Sequence, residues 1–216
     1  MFDVYTATIG RSTLLLTAVV GSAICITTAA SAQIQTETTS RVDIALTYAT
    51  ARSTPTVNVG NFWLQGGGLD LHARIAGGLG GVASITGLHI GKGNAGVAPL
   101  DLVVTVFGLR YTVRPTNRDG LLSKTSMFVE GLGGEANGFH SVFSTGSGPV
   151  NNFNGTTDSA NSLAVQAGGG LDFRLTRRLA LRALQADYLR TQLPNGGTNV
   201  QNNLRLGAGV VLLFPR

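Results

Sequence analysis

From Gln201 to Phe214 the chain keeps one face apolar at every second residue, with Leu204, Leu206, Ala208, Val210, Leu212 and Phe214 in step. Asn203, Arg205, Gly207 and Gly209 lie between them. Successive side chains of a β-strand point to opposite faces, so this segment has one apolar face and one face of polar or minimal side chains. A helix repeats every 3.6 residues and cannot gather these positions on one side. Any fold for the chain must therefore offer a sheet with two different environments.

The rhythm recurs along the chain. Arg41 to Ala51 sets Val42, Ile44, Leu46 and Tyr48 against Asp43, Ala45, Thr47 and Ala49. Phe62 to Ala76 sets Leu69, Leu71, Ala73 and Ile75 against Asp70, His72 and Arg74. Gly80 to Ile90 is strand-like, but its alternation does not assign a face. Asp101 to Arg114 opposes Phe107, Leu109, Tyr111 and Val113 to Gly108, Arg110, Thr112 and Arg114. Lys124 to Phe139 opposes Met127 and Val129 to Ser126 and Glu130. Leu163 to Leu175 opposes Leu163, Val165, Ala167, Leu171, Phe173 and Leu175 to Gln166, Gly168, Gly170, Asp172 and Arg174. Leu179 to Gln192 follows, with a phase slip near Leu184-Gln185 that predicts a bulge. With Gln201 to Phe214 the count is eight strands, and bacterial single-chain membrane barrels have even numbers.

Connector lengths alternate. Gly77-Gly78-Leu79, Pro115 to Leu122 and Thr176-Arg177-Arg178 are compact, whereas Arg52 to Asn61, Gly91 to Leu100, Phe143 to Asn161 and Leu193 to Val200 are longer and polar. Short turns at one end and long loops at the other are the habit of outer-membrane barrels. No helical periodicity persists, so an α/β fold is disfavoured.

The start of the chain carries a different signal. Arg11 precedes the uncharged, mostly apolar run Thr13 to Thr27, and Ala30-Ser31-Ala32 is a small-x-small cleavage site. That order predicts a secretory signal peptide over 1–32, cleaved before Gln33, then a short periplasmic segment over 33–40 and a barrel domain over 41–216. The apolar run is too short for a membrane span, which takes about 20 residues. Cys25 is the single cysteine, so the mature chain has neither disulfides nor thiol chemistry.

Charged residues make up 12% of the chain, where about 25% is usual for soluble domains. The net charge is +5, but the basic residues stand singly apart from Arg177-Arg178, which argues against nucleic acid as a partner. Lipid offers no hydrogen bonds, so a membrane-spanning sheet must close on itself with its apolar face outward. The expected fold is an all-β, eight-stranded antiparallel up-and-down transmembrane β-barrel. Its lumen is just wide enough for side chains to fill. The expected inward set is Asp43, Asp70, His72, Arg74, Arg110, Glu130, Asp172, Arg174, Arg182, Asp187 and Arg205. Apart from the histidine, these charges are expected to interlock as an ion-paired plug, because an unpaired buried charge is expensive. Alternation alone does not say which face is inside, so a soluble periplasmic barrel that binds a ligand in an apolar interior stays open.

These features resemble the family of small eight-stranded outer-membrane barrels of the OmpA transmembrane-domain and OmpX type. The resemblance runs from Arg41 to Phe214, and is carried by the leader, the strand rhythm, the Asn202-Asn203-Leu204-Arg205 entry into the last strand and its aromatic end. It implies a cell outer-membrane location, contact with outer-membrane lipid, and Phe214 as the signal read by the barrel-insertion machinery. Family members usually end on that aromatic residue, whereas Pro215 and Arg216 follow it here. The role implied is structural or surface-interacting, with an external loop partner; a small low-conductance pore is the alternative. Some barrels of this size are lipid-modifying enzymes that use His with Ser and an acid, and His72, His89 and His140 are the candidates for that role. A Ser next to a His in sequence is no triad, since triads are geometric. The reading is non-enzymatic, with no cofactor and no metal site.

Overall fold

The computed structural model describes residues 41–54, 62–90, 99–115, 121–144, 156–195 and 199–214. The expected signal peptide, the 33–40 segment, Cys25 and Pro215-Arg216 lie outside the described residues. In chain order the strands are β1 (Val42–Thr54), β2 (Phe62–Ala76), β3 (Leu79–Ile90), β4 (Leu100–Val113), β5 (Thr125–Phe139), β6 (Phe143–Ser144), β7 (Thr156–Thr157), β8 (Ala160–Arg174), β9 (Leu179–Thr191) and β10 (Gln201–Phe214). A short 3-10 turn, Leu121–Lys124, leads into β5.

Eight strands close a barrel in the order β1-β10-β9-β8-β5-β4-β3-β2, and β6 and β7 form a separate two-stranded sheet. Every barrel neighbour is antiparallel, including β1 and β10, which join the ends of the chain's strand series. The fold is the closed eight-stranded antiparallel barrel that the alternation calls for. Closure leaves no strand edge, so the barrel's ladders satisfy their own backbone groups. Among the described residues no helix is long and apolar enough to cross a membrane.

The start of β1, the end of β10 and the tight turns after β2 and β8 share one mouth of the barrel. Gly77, with φ +54, makes the first of those turns. The β1–β2, β3–β4, β5–β8 and β9–β10 connections share the other, long-loop mouth.

The exterior is apolar. Phe107 is 71% exposed and Val129 62%, with Leu46, Leu71, Ile85, Leu109 and Leu163 exposed around them. Trp63, Phe139 and Tyr188 stand on the outside towards the long-loop mouth, and Tyr111 and Phe214 towards the other. Apolar bands edged by aromatic residues are the mark of barrels solvated by lipid. The facing of β10 follows its alternation, with Asn203, Arg205 and Val211 buried and Leu204, Val210, Leu212 and Phe214 exposed.

The expected bulge on β9 is present, and it matters to the interior. Across β8, Leu171 pairs with Leu184 but Asp172 pairs with Arg182; across β10, Gly207 pairs with Gln185 and Gly209 with Arg182. One residue of β9 is therefore extra, at Ala183-Leu184. Before the bulge Ala180 and Arg182 face inward; after it Gln185, Asp187, Leu189 and Thr191 do. Side chains alternate with period 2, so strict alternation continued from Arg182 with no bulge would point Gln185 and Asp187 outward.

Candidate functional site

The lumen is filled, and its middle holds a network of buried charges. Three of its pairs are direct consequences of register. Arg110 stands opposite Glu130, Asp172 opposite Arg182, and Arg205 opposite Asp187. Their contacts are short: Arg110 Nε donates to Glu130 Oε2 at 2.8 Å, Arg182 Nε to Asp172 Oδ1 at 2.9 Å, and Arg205 Nη2 to Asp187 Oδ2 at 2.6 Å. Asp70 joins the pairs across the barrel. Its Oδ2 accepts from Arg110 Nη2 at 3.1 Å and Arg182 Nη1 at 2.7 Å, and its Oδ1 accepts from Ser84 Oγ at 2.7 Å.

Amides and a hydroxyl complete the set. Gln185 Nε2 donates to Glu130 Oε1 at 3.2 Å and to Asp187 Oδ2 at 3.1 Å, while its Oε1 accepts from Arg182. Gln166 Nε2 also donates to Glu130 Oε1, and Arg205 reaches Thr86 of β3 across the lumen. Every barrel strand except β1 supplies a member; Asp43 of β1 forms a separate pair, its Oδ2 meeting His72 Nδ1 at 2.7 Å. Arg182 is wholly buried, and Asp70, Arg110 and Asp187 nearly so. Buried guanidiniums are tolerable only when paired and hydrogen-bonded, and those of Arg110, Arg182 and Arg205 are.

Phe128 is the member that alternation did not single out. It faces inward between Ser126 and Glu130, with the guanidinium carbons of Arg110 and Arg182 at 4.2 Å and 4.6 Å from its ring centroid. Cations over an aromatic face gain from its quadrupole, more so away from water. The available signal was parity, since Phe128 shares the even phase of Ser126 and Glu130.

Two glycines make room for Asp187 and Phe128. A Cβ on Gly168 would sit 2.1 Å from Asp187 Oδ1 and 2.4 Å from the Ala186 carbonyl oxygen. On Gly170 it would meet the Phe128 ring at 2.7 Å. Both glycines lie opposite the bulky residues they admit, which then position the arginines.

Two arginines of the expected plug do not join it. Arg74 and Arg174 form no ion pair among the described residues. Both lie at the end of their strands, one layer beyond the network, where Asp43 and Asp172 are engaged by His72 and Arg182. The charges occupy only part of the lumen. Its long-loop half is apolar, packed from Leu64, Leu88, Leu102, Val104, Val106, Leu132 and Leu189, with Phe143 of the β5–β8 connection seated on top beside Gly138. The inward face of β3 carries Val82, Ser84, Thr86, Leu88 and Ile90, so its two faces are both largely uncharged, which hid its phase.

Each histidine meets a carboxylate. His72 holds Asp43, while His89 and His140 each engage one oxygen of Asp101 at the long-loop rim.

These features define a class: a closed eight-stranded barrel, apolar outside, whose narrow lumen is filled by charge pairs and aliphatic side chains. Solved structures with this fold are small outer-membrane barrels. Neisserial surface protein A shares 16% identity at a TM-score of 0.58, covering 81% of this chain and 98% of that one. Ail, the attachment invasion locus protein of Yersinia pestis, shares 18% at 0.51, covering 80% and 99%. At these identities the likeness is one of fold. Comparison with protein-family models and with curated protein sequences gives no match.

Proposed function

We propose that the chain is an integral outer-membrane barrel with a structural and surface-interacting role, whose lumen is shut and whose long-loop mouth faces outward. The observation that carries this is the inversion of burial: Phe107 and Val129 are exposed while Arg182 and Asp187 are buried. A soluble barrel with an apolar ligand cavity would show the opposite arrangement. The names of the two fold neighbours, a surface protein and an attachment invasion protein, fit a role at the cell surface. On this reading the short-turn mouth is periplasmic and outer-membrane lipid surrounds the apolar belt. Phe214 serves the insertion machinery, and the β5–β8 connection is foremost among the segments left free for a partner. The filled lumen favours a closed barrel over a pore, and the contacts of the histidines favour a non-enzymatic role.

Fractionation tests the location, and facing can be tested with it. The protein should partition with the outer membrane, shift its gel migration on heating, and lose about 2–4 kcal/mol of stability in bilayers on Val129→Arg. Trp63, the single tryptophan, lies on the exterior and reports insertion by its emission. Recovery of folded protein from a soluble fraction without detergent, with Val129→Arg unaffected, would contradict the proposal.

A further inference from the structure

Two opposite charges flank one strand on the outside of the barrel. Glu135 of β5 and Arg190 of β9 are exposed, and these strands are the two neighbours of β8. Arg190 stands between the buried Leu189 and Thr191, and Glu135 shares the phase of the exposed Val129, so both point away from the lumen. Glu135 pairs with Leu163 of β8 and Arg190 with Val165. The row of paired residues Leu46, Leu69, Ile85, Thr105, Glu135 and Leu163 starts in the short-turn half of β1 and ends close to the long-loop end of β8. Rows therefore climb from β5 to β8 to β9, as strand tilt in a closed barrel requires, and the offset between Leu163 and Val165 takes up that climb. The two charges stand at about one height, one strand to either side of β8.

Neither is matched by an opposite charge within the chain. Among the described residues Glu135 and Arg190 form no ion pair; Glu135 accepts from Asn137 Nδ2 at 2.9 Å. The wall beneath them has little bulk. Its outward positions are Gly131 and Gly133 on β5, Ala167 and Gly169 on β8, and Ala186 on β9. The barrel's own packing does not call for glycine at the first two, since a Cβ on Gly131 or Gly133 would meet nothing within 4 Å. Glycine inside a strand weakens it, so an outside reason for the flat surface is needed. In a membrane, small residues let two backbones approach closely.

The charges identify the second surface. A two-fold axis along the membrane normal, passing over β8, exchanges the two sides of that strand. Residue i of one copy then meets residue j of the other, and j meets i. Glu135 and Arg190 are placed to complement each other in this way, twice per contact. We propose that the outer wall of β5, β8 and β9 is the contact between two copies of this chain, with Glu135 of each copy paired to Arg190 of the other above the small-residue floor. The proposal rests on the reading of the barrel as a membrane protein, because the wall is otherwise lipid-facing.

Cross-linking tests it. The full-length protein with Cys25→Ser and one added cysteine is folded into phosphatidylethanolamine–phosphatidylglycerol bilayers and oxidised. Ala167→Cys, near the axis, should give a disulfide-linked dimer; Leu69→Cys, exposed on the opposite wall, should give far less. In the Ala167→Cys background, Glu135→Arg or Arg190→Glu sets like charges face to face and should lower the dimer yield about tenfold or more, and both together should restore it. If Ala167→Cys shows no heat-dependent gel shift, native mass spectrometry of the wild type and the same charge variants carries the same expectation. Equal yields at Ala167 and Leu69, or no rescue in the double variant, overturn the contact. So does cross-linking of Ala167→Cys in whole cells to a different chain and not to itself. A barrel that keeps its gel shift while giving these results leaves the outer-membrane reading standing; a wild type without the shift removes that reading and the contact with it.

Discussion

In the short-turn half of the lumen, Arg110, Arg182 and Arg205 carry contacts between strands; in the long-loop half, Leu64, Leu88 and Leu132 do. Both halves are filled by side chains, with opposite chemistry. The aliphatic half stabilises by area and packing, in any order of side chains that fills the volume. The charged half gains less, because desolvation offsets much of the attraction. Its contribution is discrimination. Arg182 meets Asp70 of a strand 112 residues away in sequence and Asp172 of its neighbour, and only one register of β9 allows both. We infer that the ion network selects the strand alignment, while the aliphatic half and the outer belt supply most of the stability.

The largest expected effect comes from a one-residue deletion in a strand that has no extra residue to lose. Deleting Ala208 from β10, whose pairing with β1 is regular throughout, would turn either Arg205 or Val211 out of the lumen, so the variant should fail to give a heat-modifiable barrel. Next comes Asp70→Ala, which leaves Arg110 and Arg182 facing each other without their shared carboxylate. Urea titration should show a loss of about 3–5 kcal/mol. In the aliphatic half, Leu132→Ala should cost about 2–5 kcal/mol by cavity formation. Gly168→Ser should cost about 1–3 kcal/mol through overpacking against Asp187 and the Ala186 carbonyl. The smallest effect sharpens the contrast: Leu132→Met should cost under about 1.5 kcal/mol, as volume-conserving swaps do. Asp70→Asn, equally conservative in volume, should retain most of the Asp70→Ala loss. Equal tolerance of the two conservative changes would erase the distinction between the halves.

Much of this was legible in the chain. Period-2 alternation shows the eight barrel strands, the two distinct faces of seven of them and the slip at Leu184-Gln185, because a lipid–lumen boundary imposes that period directly. The register pairs Arg110–Glu130 and Asp172–Arg182 were legible only as shared facing, since alternation is blind to alignment between strands. The aliphatic half was missed because Leu88, Val104 and Leu132 sit in strands whose outward face is also apolar, so the pattern there carries no contrast. Phe128 was missed for the same reason, between Met127 and Val129. The two ends of the guanidinium set, Arg74 and Arg174, look like their partners in sequence; only their layer along the barrel separates them.

Planar-bilayer recording tests the central claim, that charge pairs and aliphatic packing shut the lumen. The wild-type protein should be silent across a range of voltages, and openings should appear in Asp70→Ala, where the network is cut at its shared carboxylate. A steady, large conductance from the wild type would contradict the account.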